Sequence, residues 1–560
     1  MPTVPSDIDI ARRATLQPIE TIATQLDLSP DELIRYGPHI AKIEMKKVRE
    51  VLEKPARGKL VLVSAITPTP AGEGKTTISV GLTQALHELG IRVSAALREP
   101  SLGPCMGVKG GATGGGFAQV LPMEAINLHF TGDIHAVTTA HNLVGAMIDQ
   151  HIYYGNDLNL DLNAITWRRV MDMNDRSLRV IQVGLGSSKN GIPRETGFDI
   201  TAASEIMAIL CLASGYNDLK KRLSAIVIGY TPDGKAVRLG DLQVVGAVAT
   251  LLKDALQPNL VQTIGGAPVF IHGGPFANIA QGANSILATR LALGLSDVVV
   301  TEAGFGFDLG GEKFFDLVSP MAGFYPGAVV LVATVRALKM HGGIPKDQLK
   351  TPDPAAVLAG RANLEKHIQN VRVFGVEPVV AINRFITDSD EEIQAIEHIC
   401  RDLNAQAIPV TFWADGGRGG LSLGKAVMEV LSHPKEKRIR LYEPEWPIEK
   451  KIEKVAKTIY GADEVIFQPT AVESIRRLVG NNLDRLPICI SKTQNSLSDN
   501  PKLMNRPTGF SLTVRDVLPS AGAGFLVVLT GELMRMPGLP QRPAAMEIDI
   551  DDDGNISGLF

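Results

Sequence analysis

Residues 58–90, GKLVLVSAITPTPAGEGKTTISVGLTQALHELG, join an apolar strand, a loop rich in glycine and proline, and an amphipathic helix that ends at a glycine. This order of elements predicts a phosphate-binding site, because backbone N–H groups and the positive end of a helix favour anionic oxygens. Gly72 and Gly74 lack a Cβ, so the chain can curl closely around a phosphate, and Lys75 adds a positive charge. Thr76 occupies the position whose hydroxyl binds Mg²⁺ in such loops.

The loop departs from the common pattern G-x-x-x-x-G-K-[ST] at its first position. Thr69 stands where the first glycine belongs, and Pro68 and Pro70 stiffen the entry to the loop. The strand before the loop and the helix after it are still those of a nucleotide site, so we predict a variant phosphate loop. The residues predicted to bind ATP in this loop are Thr69, Pro70, Ala71, Gly72, Glu73, Gly74, Lys75, Thr76 and Thr77.

The composition is that of a folded chain with several hydrophobic cores. A chain of 560 residues exceeds what one core usually serves, and its 45% hydrophobic and 21% charged residues are close to the globular average. The net charge of -4 creates no overall field for nucleic acid or for an anionic membrane, so neither is an expected partner. Small-molecule chemistry is the favoured class of function.

The sequence also predicts a cytoplasmic location. The amino-terminal residues lack the apolar region of a secretion signal, and no uninterrupted apolar run approaches the roughly 20 residues that cross a bilayer. Four cysteines lie far apart with no C-x-x-C pair, which favours reduced thiols in the core over disulfides or zinc.

Short β-branched runs alternate with longer helical patterns, at residues 59–66, 91–97, 179–184, 225–229, 268–272, 297–301, 327–333, 376–382 and 408–412. These runs are apolar throughout, as strands buried on both faces of a parallel sheet should be, and they predict a doubly wound, mostly parallel α/β fold. Ligands bind beyond the carboxyl ends of such strands. The candidate positions at strand ends are Arg98, Glu99, Gly184, Gly186, Gly273, Gly274, Glu302, Asn383 and Trp413.

We predict three domains. The first, residues 1–364, carries the phosphate loop and is expected to be a doubly wound sheet of P-loop NTPase type. The second, residues 365–459, is a smaller α/β domain, and a charged stretch at 434–457 separates it from a mixed α+β domain at 460–560. Strand signals at 486–491, 510–514 and 525–530 belong to this last domain.

Two acidic residues are candidates for binding a metal ion. Glu302, at a strand end in the glycine-containing segment TEAGFGFDLGG (301–311), could orient Mg²⁺ or its water shell, and Asp133 competes for the same role. The alternative for the acids of the segment after Glu302 is an ordinary helix start, in which acids complement the helix dipole.

Two further strand ends carry side chains suited to flat heterocycles. Asn383 offers an amide whose donor and acceptor can read the edge of adenine, or it caps the next helix. Trp413, one of only three tryptophans, is either a stacking platform or a residue partly buried against a helix.

With these motifs, the whole chain resembles the formate–tetrahydrofolate ligase family, also called 10-formyltetrahydrofolate synthetases. GVKGGATGGGFAQV at 107–120 is similar to the glycine-rich signature of that family, with Thr113 where alanine is usual, and VATVRALKMHGG at 332–343 is similar to its second signature. TPTPAGEGKTT at 67–77 resembles the family's own phosphate loop, and FTGDIHAV, TEAGFG and GLPQRPAA agree as well.

The resemblance implies an ATP-driven ligation. Formate would attack ATP to give formyl phosphate, and a nitrogen of tetrahydrofolate would then attack the formyl carbon to release phosphate and 10-formyltetrahydrofolate. It further implies Mg²⁺, a monovalent cation such as K⁺ or NH₄⁺, and a homotetramer.

The resemblance also assigns residues. Lys75 and Arg98 would be catalytic and bind the transferring phosphoryl group, with Glu99 beside a monovalent cation site. Phe385 and Trp413 would sandwich the pterin ring of folate. Phe305 and Gly306 would lie at the formyl phosphate pocket.

Two alternatives stay open on the motifs themselves. The chain could be another ATP-dependent ligase that activates a carboxylate for a different amine, or an ATPase whose nucleotide state switches a partner, since Gly-Lys-Thr-Thr loops serve both.

Overall fold

The computed structural model describes residues 5–107, 113–433, 439–531 and 535–559. Lys109 and its neighbours in the glycine-rich segment lie outside the described residues. The strands are β1 (Leu33–Arg35), β2 (Ala41–Ile43), β3 (Lys59–Ala65), β4 (Val93–Leu97), β5 (Gly114–Gly115), β6 (Ala118–Leu121), β7 (Arg169–Met171), β8 (Ile181–Val183), β9 (Arg194–Thr196), β10 (Phe198–Ile200), β11 (Val227–Tyr230), β12 (Ala236–Arg238), β13 (Asn259–Thr263), β14 (Pro268–Ile271), β15 (Val298–Glu302), β16 (Pro326–Ala333), β17 (Pro378–Asn383), β18 (Gln406–Val410), β19 (Glu464–Phe467), β20 (Ile488–Ser491), β21 (Ser511–Ser520), β22 (Phe525–Thr530), β23 (Asp549–Ile550) and β24 (Ile556–Ser557).

The α-helices are α1 (Asp7–Arg13), α2 (Ile19–Thr24), α3 (Met45–Leu52), α4 (Lys75–Glu88), α5 (Leu102–Gly107), α6 (Met123–Asn127), α7 (Asp133–Tyr153), α8 (Glu205–Leu212), α9 (Tyr216–Ala225), α10 (Val245–Leu251), α11 (Ile286–Leu295), α12 (Ser319–Ala322), α13 (Val335–His341), α14 (Pro354–Ala359), α15 (Arg361–Val373), α16 (Asp390–Asp402), α17 (Phe412–Asp415), α18 (Leu421–Ser432), α19 (Ile448–Val455) and α20 (Pro469–Gly480). π-helical turns occupy Phe307–Gly311, Phe314–Val318 and Ala456–Tyr460.

One large sheet organises the molecule. Its strands follow the order β1-β2-β13-β14-β4-β15-β3-β16-β17-β18. The strands from β14 to β18 are parallel, while β1, β2 and β13 form an antiparallel edge to which the hairpin β5–β6 is attached. The prediction of a mostly parallel α/β sheet is confirmed.

Helices cover both faces of this sheet. In β3, Leu60 and Leu62 pack into one apolar layer, and Val61 and Val63 pack into the other. Helices α4 and α18 contribute to the layer of Val61, whereas α11 and α15 contribute to the layer of Leu60. Because successive residues of a strand point to opposite faces, a strand covered on both sides presents apolar side chains to both, as β3 does from Leu60 to Val63.

Two of the predicted strands lie outside the large sheet. β8 pairs with β9 and β11 with β12, each as a local antiparallel hairpin. The expectation that Gly184 and Gly186 stand at the carboxyl edge of the parallel sheet was therefore wrong. An apolar run of three or four residues has too little length to reveal its partner, and here each run pairs with the next strand along the chain.

The large sheet extends past the predicted boundary at residue 364. That residue lies inside α15, and β17 and β18 continue the sheet beyond it. A separate four-stranded mixed sheet, in the order β19-β21-β22-β20, begins at Glu464, within the segment predicted as the last domain. Its strands include the three runs predicted between 486 and 530.

Helix α1 lies against a segment from the other end of the chain. Ile8 shares an apolar cluster with Leu121, Met123 and Leu559. The Arg12 guanidinium donates to the carbonyl oxygen of Ile556 at 2.5 Å. Residues about 550 positions apart therefore hold α1 in place beside β6.

Among the described residues, none of the helices is both long enough and apolar enough to span a membrane. The four cysteines are buried and free, as predicted for core thiols. Burial raises the pKa of the thiols of Cys105 and Cys400 to about 12, which keeps them protonated and unreactive.

Candidate functional site

The phosphate loop connects β3 to α4 at the carboxyl edge of the large sheet. Gly72 and Gly74 have φ angles of +78° and +73°, in the left-handed region that favours glycine. Gly72 donates its N–H to the carbonyl oxygen of Thr69 at 2.9 Å, which closes a tight turn where the missing first glycine was expected. Helix α4 begins at Lys75, so its amino-terminal N–H groups face the loop.

Glu73 braces this loop from inside. Its side chain is buried, and its Oε1 accepts the backbone N–H of Thr69 at 2.6 Å while its Oε2 accepts the hydroxyl of Thr334. Asn383 holds the same turn from β17, because its amide nitrogen donates to the Glu73 carbonyl oxygen at 3.0 Å. This bond uses one of the two amide hydrogens of Asn383 and does not involve its side-chain carbonyl oxygen.

Glu302, at the end of β15, connects Thr76, the predicted Mg²⁺ ligand, with Arg98, a predicted catalytic residue. Its Oε2 accepts the hydroxyl of Thr76 at 3.0 Å, and its Oε1 lies 3.4 Å from the guanidinium of Arg98. Glu302 is buried, whereas the Arg98 side chain is 22% exposed. Because β15 lies between β4 and β3, the ends of three adjacent strands bring Arg98, Glu302 and the phosphate loop together.

The segment after Glu302 closes tightly around this cluster. Phe305 has a φ of +59°, a conformation that is rare for an aromatic residue and is typical of strained functional loops. A Cβ on Gly304 would lie 3.2 Å from Arg98 Nη1, and one on Gly306 would lie 3.4 Å from His367 Cε1. Asp308 then anchors the segment through a buried ion pair of 2.7 Å with Lys492.

Arg336 is a site residue that the sequence analysis did not identify. Its guanidinium lies 4.2 Å from the centre of the Phe385 ring and donates to the carbonyl oxygen of Gly72. It also lies 3.8 Å from Glu73. Arg336 thus covers one face of Phe385 and attaches it to the phosphate loop. The available signal was its place in the segment 332–343, directly after a buried strand.

Trp413 lies in α17, directly after β18. The ring of the preceding Phe412 is completely buried against α4, whereas Trp413 is 38% exposed. The backbone N–H of Arg384 donates to the carbonyl oxygen of Val410, so the segments that carry Phe385 and Trp413 leave adjacent strands side by side. An exposed indole held at the base by a buried neighbour can stack with a flat ring.

Glu99 suits a cation. The side chain is buried, and within the described part of the chain its Oε2 has no hydrogen-bond partner. Burial raises the pKa of this carboxyl well above its usual value, and the negative charges of Asp133 and Asp172 raise it further. A cation beside Glu99 would relieve this unfavourable burial, so the residue fits the predicted role.

Asp133 is already engaged by protein groups. Its two carboxylate oxygens accept the Lys42 ammonium at 2.8 and 2.9 Å, and Oδ2 also accepts the Asn259 amide at 2.8 Å. Both Lys42 and Asp133 are buried. A metal ion at Asp133 would have to displace Lys42, so the metal role of Asp133 stays a prediction that this geometry does not favour.

The structure therefore brings most of the predicted residues to one edge of the sheet. The phosphate loop, Arg98 and Glu302 form one cluster, and Phe385 and Trp413 follow the neighbouring strands. Together, these groups have the chemistry to bind a nucleoside triphosphate, to stabilise a phosphoryl group during its transfer and to hold a flat ring nearby.

Residues 5–560 of the chain match the formate–tetrahydrofolate ligase family. Two relatives from Staphylococcus aureus, strains NCTC 8325 / PS 47 and MSSA476, are each named formate–tetrahydrofolate ligase and are 54% identical to it over 555 residues. The aligned region covers 99% of this chain and 99% of each relative. The similarity thus extends from α1 to the last strands and includes every element of the candidate site.

Proposed function

The chain belongs to the formate–tetrahydrofolate ligase family, and from this premise we propose that it ligates formate to tetrahydrofolate with ATP. The products are 10-formyltetrahydrofolate, ADP and phosphate, and formyl phosphate is the intermediate. In this proposal, the large sheet is a nucleotide-binding sheet of P-loop NTPase type.

The observation that carries the proposal is the position of Glu302 between Thr76 and Arg98. The hydroxyl of Thr76 and the guanidinium of Arg98 approach the two oxygens of one buried carboxylate at 3.0 and 3.4 Å. Phosphoryl transfer uses a hydroxyl that binds a cation, a positively charged side chain and an acid. Here all three lie beside the start of the helix that follows the phosphate loop.

In the first step, an oxygen of formate attacks the γ-phosphorus of ATP. The bond from this phosphorus to the bridging oxygen breaks, and ADP leaves. Lys75 and Arg98 stabilise the negative charge on the three equatorial oxygens of the phosphoryl group as it transfers. The left-handed turns at Gly72 and Gly74 bring backbone N–H groups close to the other phosphates.

In the second step, N10 of tetrahydrofolate attacks the carbonyl carbon of formyl phosphate. The carbon–oxygen bond to the phosphate breaks, the phosphate leaves, and N10 loses its proton. Phe385 and Trp413 hold the pterin by stacking, which places N10 near the formyl carbon. The loop of Phe305 and Gly306 forms the wall of the formyl phosphate pocket.

Two cations assist these steps. Thr76 and Glu302 offer the oxygen ligands that Mg²⁺ prefers, and this ion would neutralise charge between the ATP phosphates. Glu99 would hold the monovalent cation, K⁺ or NH₄⁺, close to Arg98, the next residue along the chain. Asn383 would read adenine through its carbonyl oxygen.

We place the enzyme in the cytoplasm as a homotetramer. The support for these two points is the family resemblance and the buried free thiols, which suit a reducing compartment. Sedimentation at micromolar concentration measures the oligomeric state, and a monomer would contradict it.

The test of the function is the replacement Lys75→Met. We expect formate-dependent ADP release to fall by at least about 10²-fold, because a charge on the transferring phosphoryl group is lost. The fold should persist, since Lys75 is only half-buried. Lys220→Met on the exposed face of α9 is the control and should keep full activity.

The same assay separates this reaction from the two alternatives. ADP is measured with ATP alone, with formate added, and with formate and tetrahydrofolate added. A nucleotide switch would hydrolyse ATP without formate, and a ligase with another acceptor would show no dependence on tetrahydrofolate. Unchanged turnover in Lys75→Met would refute the assignment of the phosphate site.

A further inference from the structure

The hairpin β5–β6 lies directly against the indole of Trp413. A Cβ built on Gly115 would lie 3.3 Å from Trp413 Cδ1 and 3.4 Å from its Nε1. One built on Gly116 would lie only 2.7 Å from Trp413 Cγ, which is closer than real Cβ atoms approach. The glycines of this hairpin are therefore required because the backbone itself forms the floor beneath the indole.

Backbone hydrogen bonds fix the hairpin to the segment that carries Trp413. The N–H of Phe117 donates to the carbonyl oxygen of Trp413 at 2.8 Å. The carbonyl oxygen of Phe117 accepts the side-chain amide of Gln84, in α4, at 3.2 Å. A shift of the hairpin would thus move the backbone of Trp413 as well as the floor under its ring.

One carboxylate from α1 holds the hairpin on its other side. Asp7 Oδ1 accepts the backbone N–H of Gly116 at 2.8 Å. The buried side chain of Gln119 donates to the backbone carbonyl oxygens of Asp7 and Gly116, both at 2.8 Å. Because the acceptor at Gly116 is a charged carboxylate, this bond is stronger than one between neutral groups.

We propose that Asp7 is a positioning residue for tetrahydrofolate, which acts by fixing the hairpin β5–β6 under the Trp413 indole. This inference rests on the proposed function, because it takes Trp413 to be the platform for the pterin. Asp7 itself has no part in the phosphoryl transfer, so its loss should weaken folate binding and leave the nucleotide site intact.

Helix α1 supplies a matched control for this role. Asp9 lies in the same turn as Asp7 and completes the capping box of α1, because its Oδ2 accepts the backbone N–H of Ser6 at 3.2 Å and its hydroxyl at 2.6 Å. Asp9→Ala removes the capping box, so it disturbs the start of the helix at least as much as Asp7→Ala does. Of these two acids, only Asp7 accepts a hydrogen bond from the hairpin.

The experiment compares Asp7→Ala, Asp7→Asn and Asp9→Ala in the full-length enzyme. We expect Asp7→Ala to raise the KM and Kd for tetrahydrofolate about tenfold, as the loss of one hydrogen bond to a charged group implies. The KM for ATP and kcat at saturating folate should stay within about twofold. Asp7→Asn keeps a carbonyl acceptor for Gly116 and should recover most of the affinity, and Asp9→Ala should bind folate like the wild type.

A second readout follows the indole itself. Acrylamide should quench tryptophan fluorescence more strongly in Asp7→Ala than in the wild type, and this increase should vanish when Trp413→Phe is added. If the increase came only from a disturbed helix α1, the quenching would rise equally in Asp9→Ala.

Several outcomes would overturn the inference. If Asp7→Ala binds tetrahydrofolate with wild-type affinity, the inference is wrong. It is also wrong if Asp9→Ala loses as much folate affinity as Asp7→Ala, because the effect would then come from the docking of α1 as a whole. If Trp413→Ala weakens folate binding while Asp7→Ala does not, only this inference fails. If the wild-type enzyme itself shows no turnover that depends on tetrahydrofolate, the proposed function fails first.

Discussion

Trp413 has a fixed backbone and an exposed ring, and this combination suits a stacking platform. Its carbonyl oxygen accepts from Phe117, the preceding Phe412 is completely buried, and 38% of Trp413 remains exposed. An indole that is already held in place loses little freedom when a flat ring stacks on it, so more of the contact energy appears as affinity.

For this residue we predict that Trp413→Ala weakens tetrahydrofolate binding by ~1 to 3 kcal/mol, the range found for bases stacked on aromatic side chains. ATP binding should not change, because the phosphate loop is held by Glu73 and Asn383 rather than by Trp413. Calorimetry with each ligand measures both effects. Trp446→Ala is the control, since Trp446 packs under Lys450. Equal folate affinity in Trp413→Ala and the wild type would contradict the platform.

Sequence alone can point to a residue when its proposed role follows from a motif formed by its neighbours in the chain. Lys75 and Thr76 follow from one loop motif. Arg336 and Asp7 were missed because their partners in the site lie 264 and 109 positions away, and no local pattern records such a contact. The brace formed by Glu73 was hidden in the same way, since its acceptor role depends on Thr334.

Helix α4 links the two halves of the site. It begins at Lys75 in the phosphate loop, packs against Phe412 at Gly81, and holds the hairpin β5–β6 through Gln84. Six residues of helix separate Lys75 from Gly81, a rise of about 9 Å. The helix therefore sets the distance between the phosphate loop and the Trp413 platform.

We predict that Gly81→Ala lowers stability by about 1 to 3 kcal/mol and weakens folate binding. A Cβ at this position would lie 2.6 Å from Phe412 Cβ and closer still to its ring, so Phe412 must move and shift Trp413 with it. Chemical denaturation and folate titration measure the two effects. Gly246→Ala in α10 is the matched control, because no described atom lies within 4 Å of the added methyl group, and it should be neutral or stabilising.

A second substitution checks the cause. Adding Phe412→Leu to Gly81→Ala removes ring atoms from the contact and should recover part of the lost stability. If the double variant is less stable by the sum of the two single losses, the collision with Phe412 is not the reason.

Among the elements, the long buried strands were predictable and the short ones were not. β3, β16 and β17 are six to eight residues long and mostly apolar, and such runs fit a strand covered on both faces. The runs at β8 and β11 have similar residue types, but each pairs with the next strand along the chain. The spacing of apolar residues predicts a strand but not the strand with which it pairs. Strand β13, which pairs with β2 and β14, was not predicted at all, because its sequence NLVQT holds only two strongly apolar residues.

For the molecule as a whole, buried histidines set the response to acid. Burial lowers the pKa of four of them, to about 3 in His141 and to about 4 in His272, His341 and His367. These side chains stay neutral in the folded protein, whereas the unfolded chain takes up their protons below pH ~6.5. Their contribution to stability is present above that pH and is lost as the pH falls toward 4.

Buried acids act in the opposite direction. Burial raises the pKa of Glu205 and of Asp316 to about 7, and it raises the pKa of Glu99 and of Glu312 well above the usual value. Each is most favourable when protonated, so its contribution is present below its unfolded pKa and is lost as the pH rises through its raised pKa.

We therefore predict that each of the four histidines lowers the stability at pH 5, relative to pH 7, by roughly 2 kcal/mol, because only the unfolded chain takes up the proton. His141→Gln removes one such contribution, so the fall in the thermal midpoint from pH 7 to pH 5 should be smaller in this variant than in the wild type at constant ionic strength. An equal pH dependence in the two proteins would mean that His141 is not held neutral in the folded state.

The contact between α1 and the segment that ends at Leu559 has a consequence for biosynthesis. As the chain leaves the ribosome, all strands of the large sheet emerge long before Ile556 and Leu559 can close over Ile8 and Arg12. Contacts of such separation form slowly. The large sheet and the loop between β3 and α4 can thus form before the last contacts of α1, the helix that holds Asp7 beside the hairpin β5–β6.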